Sequence, residues 1–133
     1  MIVAIFASPT LTADSGRVQQ CMRFALTRLE SKLAIQHGKS NPWPEQAFIH
    51  GDGHIEREMA VWIIEQGVSK KRVREIPINV EKHGDKAKAA RDRILVKNAH
   101  SLVAIWDGRE GRVRQAIQRA TDKGIPVVVE VIT

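Results

Sequence analysis

AFIHGDGHIEREMAVWI, residues 47–63, changes its periodicity at a pair of glycines. Ala47 to His50 is a short apolar run of strand length. Beyond Gly51-Asp52-Gly53, the apolar residues Ile55, Met59, Trp62 and Ile63 recur at steps of three and four, which gather them on one face of a helix. A strand, a glycine turn and an amphipathic helix form one half of a parallel βαβ unit. Gly67 is expected to stop the helix.

Working outward, the same alternation recurs. Ile2–Ala7 contains no polar residue and reads as a strand buried on both faces. Val18, Met22, Leu26, Leu29 and Leu33 form a helical stripe, with Asp14 or Ser15 as its cap. Gly38 to Glu45, with Asn41-Pro42-Trp43-Pro44, reads as a loop. Further strands are expected at Val73–Ile76, Leu102–Trp106 and Ile125–Ile132, and further helices from about Gly84 to Ala99 and around Val113 to Ala120, ended by Gly124. Five strands alternating with four helices predict an α/β three-layer sandwich with a five-stranded, mostly parallel sheet. At 133 residues the chain is expected to form one domain, residues 1–133.

Composition narrows the function classes. The content is 43% apolar and 27% charged, as in soluble globular proteins. No apolar run reaches the roughly 20 residues of a membrane span. The apolar N-terminus follows no basic region, so a strand rather than a signal peptide is expected, and with it a cytoplasmic location. A single cysteine, Cys21, excludes an internal disulfide framework and a multi-cysteine zinc site. The net charge of +6 is uneven: residues 1–66 hold six Lys/Arg against seven Asp/Glu, and residues 67–133 hold fifteen against eight. The cationic half favours a phosphate-bearing partner or, equally, a solvated lysine-rich surface.

In an open parallel sheet, ligands bind outside the carboxyl ends of the strands where strand order reverses. The loops expected there are Ser8-Pro9-Thr10, His50 to Gly53, Pro77 to His83, and Asp107 to Glu110. His50, Asp52, His54 and Glu56 alternate as metal ligands can, but Gly51 and Gly53 oppose an extended strand, and no metal is assigned. A glycine loop before a helix N-terminus instead offers backbone amides to an anion, with Asp52 facing a ribose hydroxyl or a base. The ordinary alternative is a turn in which Asp52 or His54 caps the helix. Trp106-Asp107-Gly108-Arg109-Glu110-Gly111-Arg112 repeats the arrangement, with Arg109, Arg112 and Arg114 as candidate phosphate donors. Arg91 is placed to point inward from the third helical segment, while Lys86, Lys88 and Lys97 stay solvated. That segment lacks interleaved aromatics, so nucleic acid is a secondary candidate partner.

Three stretches, HGDGHIEREMAVW, HGDKAKAARDRIL and AIWDGREGRVRQAIQRATDKGIPVVV, together resemble the SLOG superfamily. Its relatives include the LOG cytokinin-activating phosphoribohydrolases and the DNA-processing protein DprA, and the resemblance is nearest to the small stand-alone YspA-like (YAcAr-type) branch. It runs from the second strand to the C-terminus. The resemblance implies a Rossmann-like domain that binds a nucleotide or nucleotide derivative, often as a homodimer or higher oligomer, and possible use as a ligand sensor. On this reading Ser8, Thr10, Gly51, Asp52, Gly53, Arg91, Trp106, Asp107, Gly108 and Arg109 line the ligand site. An alternative is cleavage or transfer of an N-glycosidic bond, for which Glu56 and Glu110 are the candidate catalytic carboxylates. The family's Arg-Asn appears here as Arg91-Asp92. The Gly-Thr pair of its third motif is missing, as is the glutamate three residues beyond.

Overall fold

The computed structural model describes residues 1–11, 15–37 and 42–132. It is an α/β fold with five parallel strands flanked by helices. The strands are β1 (Ile2–Ala7), β2 (Ala47–His50), β3 (Val73–Glu75), β4 (Ser101–Trp106) and β5 (Val127–Val131). The helices are α1 (Ser15–His37), α2 (His54–Glu65), the single turn α3 (Val80–His83), α4 (Ala87–Asn98) and α5 (Gly111–Lys123). Spatial order is β3-β2-β1-β4-β5, and all four neighbouring pairs are parallel. Strand order therefore reverses between β1 and β4, paired from Val3↔Ser101 to Ala7↔Ile105.

Side-chain alternation along β1 divides the core. Val3, Ile5 and Ala7 pack with Leu26, Leu29, Met59 and Ile63 of α1 and α2. Ala4 and Phe6 face the other way, into Leu95, Val113, Ala116 and Ala120 of α4 and α5. Both faces of the sheet are thus covered, which explains the uninterrupted apolar strands. Each fully buried Leu or Phe contributes about 1.5–3 kcal/mol of hydrophobic stabilisation.

β5 ends the sheet, and its outward carbonyls are not left bare. Arg28 of α1 donates to the Val129 carbonyl (3.4 Å) and to Glu130 (2.6 Å), and Lys32 donates to the Val127 carbonyl (3.0 Å). Cations placed along an edge strand obstruct pairing with another chain.

Several expectations need correction. The helix expected from about Gly84 to Ala99 is present, opening as a 3-10 turn over 84–86 that leads into α4, but the loop expected before it holds the single turn α3, which ends at Gly84, whose φ of 55° and ψ of −128° are not helical. β5 is shorter than expected at both ends, and β4 begins one residue earlier. Of the loop expected from Gly38 to Glu45, Trp43–Glu45 forms a 3-10 turn, with Trp43 stacked on Trp62 at 5.6 Å, and residues 38–41 lie outside the described residues. Asp14, a capping candidate for α1, also lies outside them.

Candidate functional site

The turn after β1 and the turn after β4 meet at the strand reversal. Ser8 is buried, and its hydroxyl accepts the Asp107 N–H at 3.1 Å. Thr10 donates its hydroxyl to Asp107 Oδ2. The other oxygen, Oδ1, accepts the N–H groups of Arg109 (2.8 Å) and Glu110 (2.7 Å). These three donors hold the Asp107 carboxyl below the usual aspartate range, led by the Thr10 hydrogen bond. Gly108 has φ of 85°, a left-handed conformation that lets the chain turn sharply away from β4.

α5 begins immediately afterwards. Glu110 is its N-cap, and its carboxylate accepts the amides of Arg112 and Val113, both at 2.8 Å. Trp106 is half-buried; its indole N–H donates to the Glu110 carbonyl (3.0 Å), and Arg114 stacks over its ring. Arg109 is exposed and makes no ion pair with a described residue.

The loop after β2 is built differently. Gly53 is the N-cap of α2 and supplies no side-chain bond, so neither Asp52 nor His54 caps this helix as expected. Asp52 turns instead to Arg91, whose Nη1 donates to Asp52 Oδ1 at 3.0 Å. Burial tends to raise the Asp52 pKa, but the hydrogen bond and charge of Arg91 outweigh it and leave the carboxyl below its usual range. Arg91 Nε also donates to the adjacent Asp92 Oδ1 at 2.9 Å. The Arg91 side chain is only 1% exposed, and its Nη2 has no hydrogen-bond partner. Gly51 is required beneath it, since a Cβ there would stand 2.8–3.0 Å from three guanidinium atoms.

Glu56, in the first turn of α2, is wholly buried. One oxygen accepts the Gly51 N–H at 3.0 Å, and the other pairs with Arg112 Nη2. Arg112 Nε also approaches Asp92 Oδ2 to 2.9 Å, without hydrogen-bond geometry. Burial would lower the Arg112 pKa, but Glu56 and Asp92 more than offset that and hold it raised. Glu56, Arg112, Asp92, Arg91 and Asp52 therefore form one chain of ion pairs. It crosses the top of the sheet, from the α1–α2 layer to the α4–α5 layer.

Comparison with known protein families, curated proteins and solved structures found no match.

The structure thus gathers all the expected site residues at the carboxyl edge but gives some of them different work. Arg91 was expected as a phosphate partner; its buried guanidinium is already shared by Asp52 and Asp92. Glu56 and Glu110 were candidate catalytic carboxylates. Both oxygens of each are engaged, in the first case by Gly51 and Arg112 and in the second by the amides of α5. N-glycosidic chemistry needs a carboxylate open to the anomeric carbon, which neither provides as placed. Among the described residues, no group of three or more His, Cys, Asp or Glu side chains is placed to hold a metal ion. His50 is buried, with its Nδ1 2.7 Å from the Gly51 carbonyl. Also among the described residues, no helix is long and apolar enough to cross a membrane.

The pairing of Arg112 with Glu56 escapes sequence reading. One signal was available: an arginine in the first turn of a helix opposes the helix dipole, so it needs an anion from elsewhere. A groove of about 320 Å³ also runs between α1 and α2, lined by Val18, Met22, Met59 and Trp62 among others. His54 and Arg57 line it as well, so it opens close to the same edge.

Proposed function

We propose that this chain binds a nucleotide or nucleotide derivative at the carboxyl edge of the sheet, as a member of the SLOG superfamily acting as a ligand-binding domain. The observation that carries the reading is the convergence of the β1 and β4 turns at the strand reversal. There Ser8 and Thr10 are tied to Asp107, and Gly108 makes the sharp turn. Reversal of strand order opens a crevice between adjacent loops in this class of sheet. The β2 loop, with Gly51, Asp52 and Gly53, lies on the other side of β1 and forms the second wall. Asp52 is the member of the ion-pair chain most open to solvent, at 36% side-chain exposure. Exposed Arg109 supplies a cation at the mouth.

The saturated bonding of Glu56 and Glu110 favours binding over hydrolysis. Isothermal titration calorimetry with nucleosides, nucleoside mono- and diphosphates, cyclic nucleotides and ADP-ribose tests the reading. Saturable heat with at least one of them, lost in Asp107→Ala, is expected. Silence across the panel refutes it.

A further inference from the structure

The groove between α1 and α2 has a buried apolar floor of Val18, Met22, Met59 and Trp62, and an exposed acidic wall. Along the outer face of α2, Glu58, Val61 and Glu65 follow one another at steps of three and four. Two helical turns, about 10 Å, therefore separate the carboxylates, with Val61 between them. Val61 is 54% exposed, and neither glutamate has an ion-pair partner among the described residues. The cations nearby are engaged elsewhere. Arg57 donates to both oxygens of Glu75, and Arg23 lies over the Trp62 ring and donates to Gln66. In a chain of net charge +6, this stripe is an acidic surface around an uncovered apolar residue.

α4 presents the complement. Lys86 at its N-cap, Arg93 and Lys97 are all exposed, and their steps of seven and four place them in one stripe. Ile94 stands beside that stripe, 42% exposed. Lys86 and Arg93 repeat the two-turn spacing of Glu58 and Glu65. None of these three cations has an ion-pair partner among the described residues. α2 packs on one face of the sheet and α4 on the other, so the two surfaces cannot meet within one molecule.

We propose that the α4 face of one copy of this chain docks on the α2 stripe of another, beside the α1–α2 groove, with Ile94 against Val61 and the cations against Glu58 and Glu65. Surfaces on opposite faces of the sheet make the contact head-to-tail, and such a contact adds copies without stopping at a two-fold pair. An exposed ion pair is worth about fivefold in affinity at most, so association is weak, and added salt weakens it further. The contact lies apart from the carboxyl-edge site and does not depend on what that site binds.

Sedimentation equilibrium of the whole chain over a wide concentration range tests this, together with two variants. Glu58→Lys/Glu65→Lys reverses the stripe on α2 and leaves α4 intact. Arg93→Ala/Lys97→Ala strips the α4 side and leaves the α2 stripe intact. The unaltered chain is expected to grow past the mass of a dimer as concentration rises, and to grow less in high salt. Each variant alone is expected to associate about tenfold more weakly or worse, having lost two ion pairs. An equimolar mixture of the two should regain the parental affinity and stop at a one-to-one pair, because each supplies the surface that the other lacks. A parent chain that stays monomeric throughout, or that stops at a symmetric dimer, overturns the proposal. So does a mixture of variants, shown to be folded by circular dichroism, that associates no better than either alone. The mass of the unaltered chain can refute the proposal even if a variant folds poorly.

Discussion

Replacing Arg112 by methionine removes the cation that crosses from α5 to α2. Glu56 is then left wholly buried, with only the Gly51 amide against its charge. Breaking a buried pair from one side costs about 3–5 kcal/mol, because the remaining charge has lost both water and partner. Arg112 retains 22% side-chain exposure, so water can reach part of the gap, and the lower end of the range, about 3 kcal/mol, is expected. Asp92 also loses Arg112 but keeps Arg91 at 2.9 Å, which limits the damage there. Glu56→Gln keeps a carbonyl for the Gly51 N–H and is expected to cost about 1–2 kcal/mol. The double variant removes the stranded charge, so its loss should fall short of the summed single losses by about 1–3 kcal/mol. Urea unfolding of the four proteins, read by tryptophan fluorescence and far-UV circular dichroism, measures this. Additive losses within about 0.5 kcal/mol would refute the claim that Glu56 and Arg112 act as a unit.

Other perturbations follow from the same geometry. Gly51→Ala places a methyl against the Arg91 guanidinium, which Asp52 and Asp92 hold in place; a loss of about 1–3 kcal/mol in chemical denaturation is expected. Glu110→Ala uncaps α5 at two amides and should cost about 1 kcal/mol by the same assay, whereas Glu110→Gln should cost less. Asp52 and Asp107 both titrate below the ordinary aspartate value of 3.8 in the folded chain. Their stabilising contribution is therefore complete above that value and is lost as the pH falls through their lower folded values. A pH series of thermal midpoints should show this acid slope, and it should be shallower in Asp52→Asn. Removing both Arg28 and Lys32 bares the outward carbonyls of β5, and light scattering on concentrated Arg28→Ser/Lys32→Ser protein should reveal self-association beyond that of the parent.

The periodicity of the chain carried the fold a long way. β1 and β2 lie within the bounds read from their apolar runs, and α2 follows the Ile55, Met59, Trp62, Ile63 stripe. These features are local, and burial on both sheet faces writes them directly into the residue order. Gly84 was harder, because a glycine before a helical pattern looks the same whether it opens the helix or interrupts a longer one. Its positive φ settles that only in three dimensions.

The candidate site was legible in position but not in bonding. Glycines after β2 and Asp107-Gly108 after β4 mark the carboxyl edge, as the alternation of strands and helices requires. Which carboxylate meets which arginine depends on contacts between residues 39 and 56 positions apart, and single-sequence spacing carries no such information. Glu56 illustrates the difficulty: in the sequence it could cap a helix or face a cleft, and it proves to be buried beneath Arg112. Arg91 likewise pointed inward as expected, yet met two aspartates there.

Backbone amide chemical shifts tracked by NMR during titrations with nucleosides and nucleotides test the central claim most directly. The account predicts saturable shifts concentrated at Ser8, Thr10, Gly51 to Gly53 and Asp107 to Arg109, around the strand reversal. Shifts confined to the α1–α2 groove around Met22, Met59 and Trp62, or no shifts with any nucleoside or nucleotide, would contradict it.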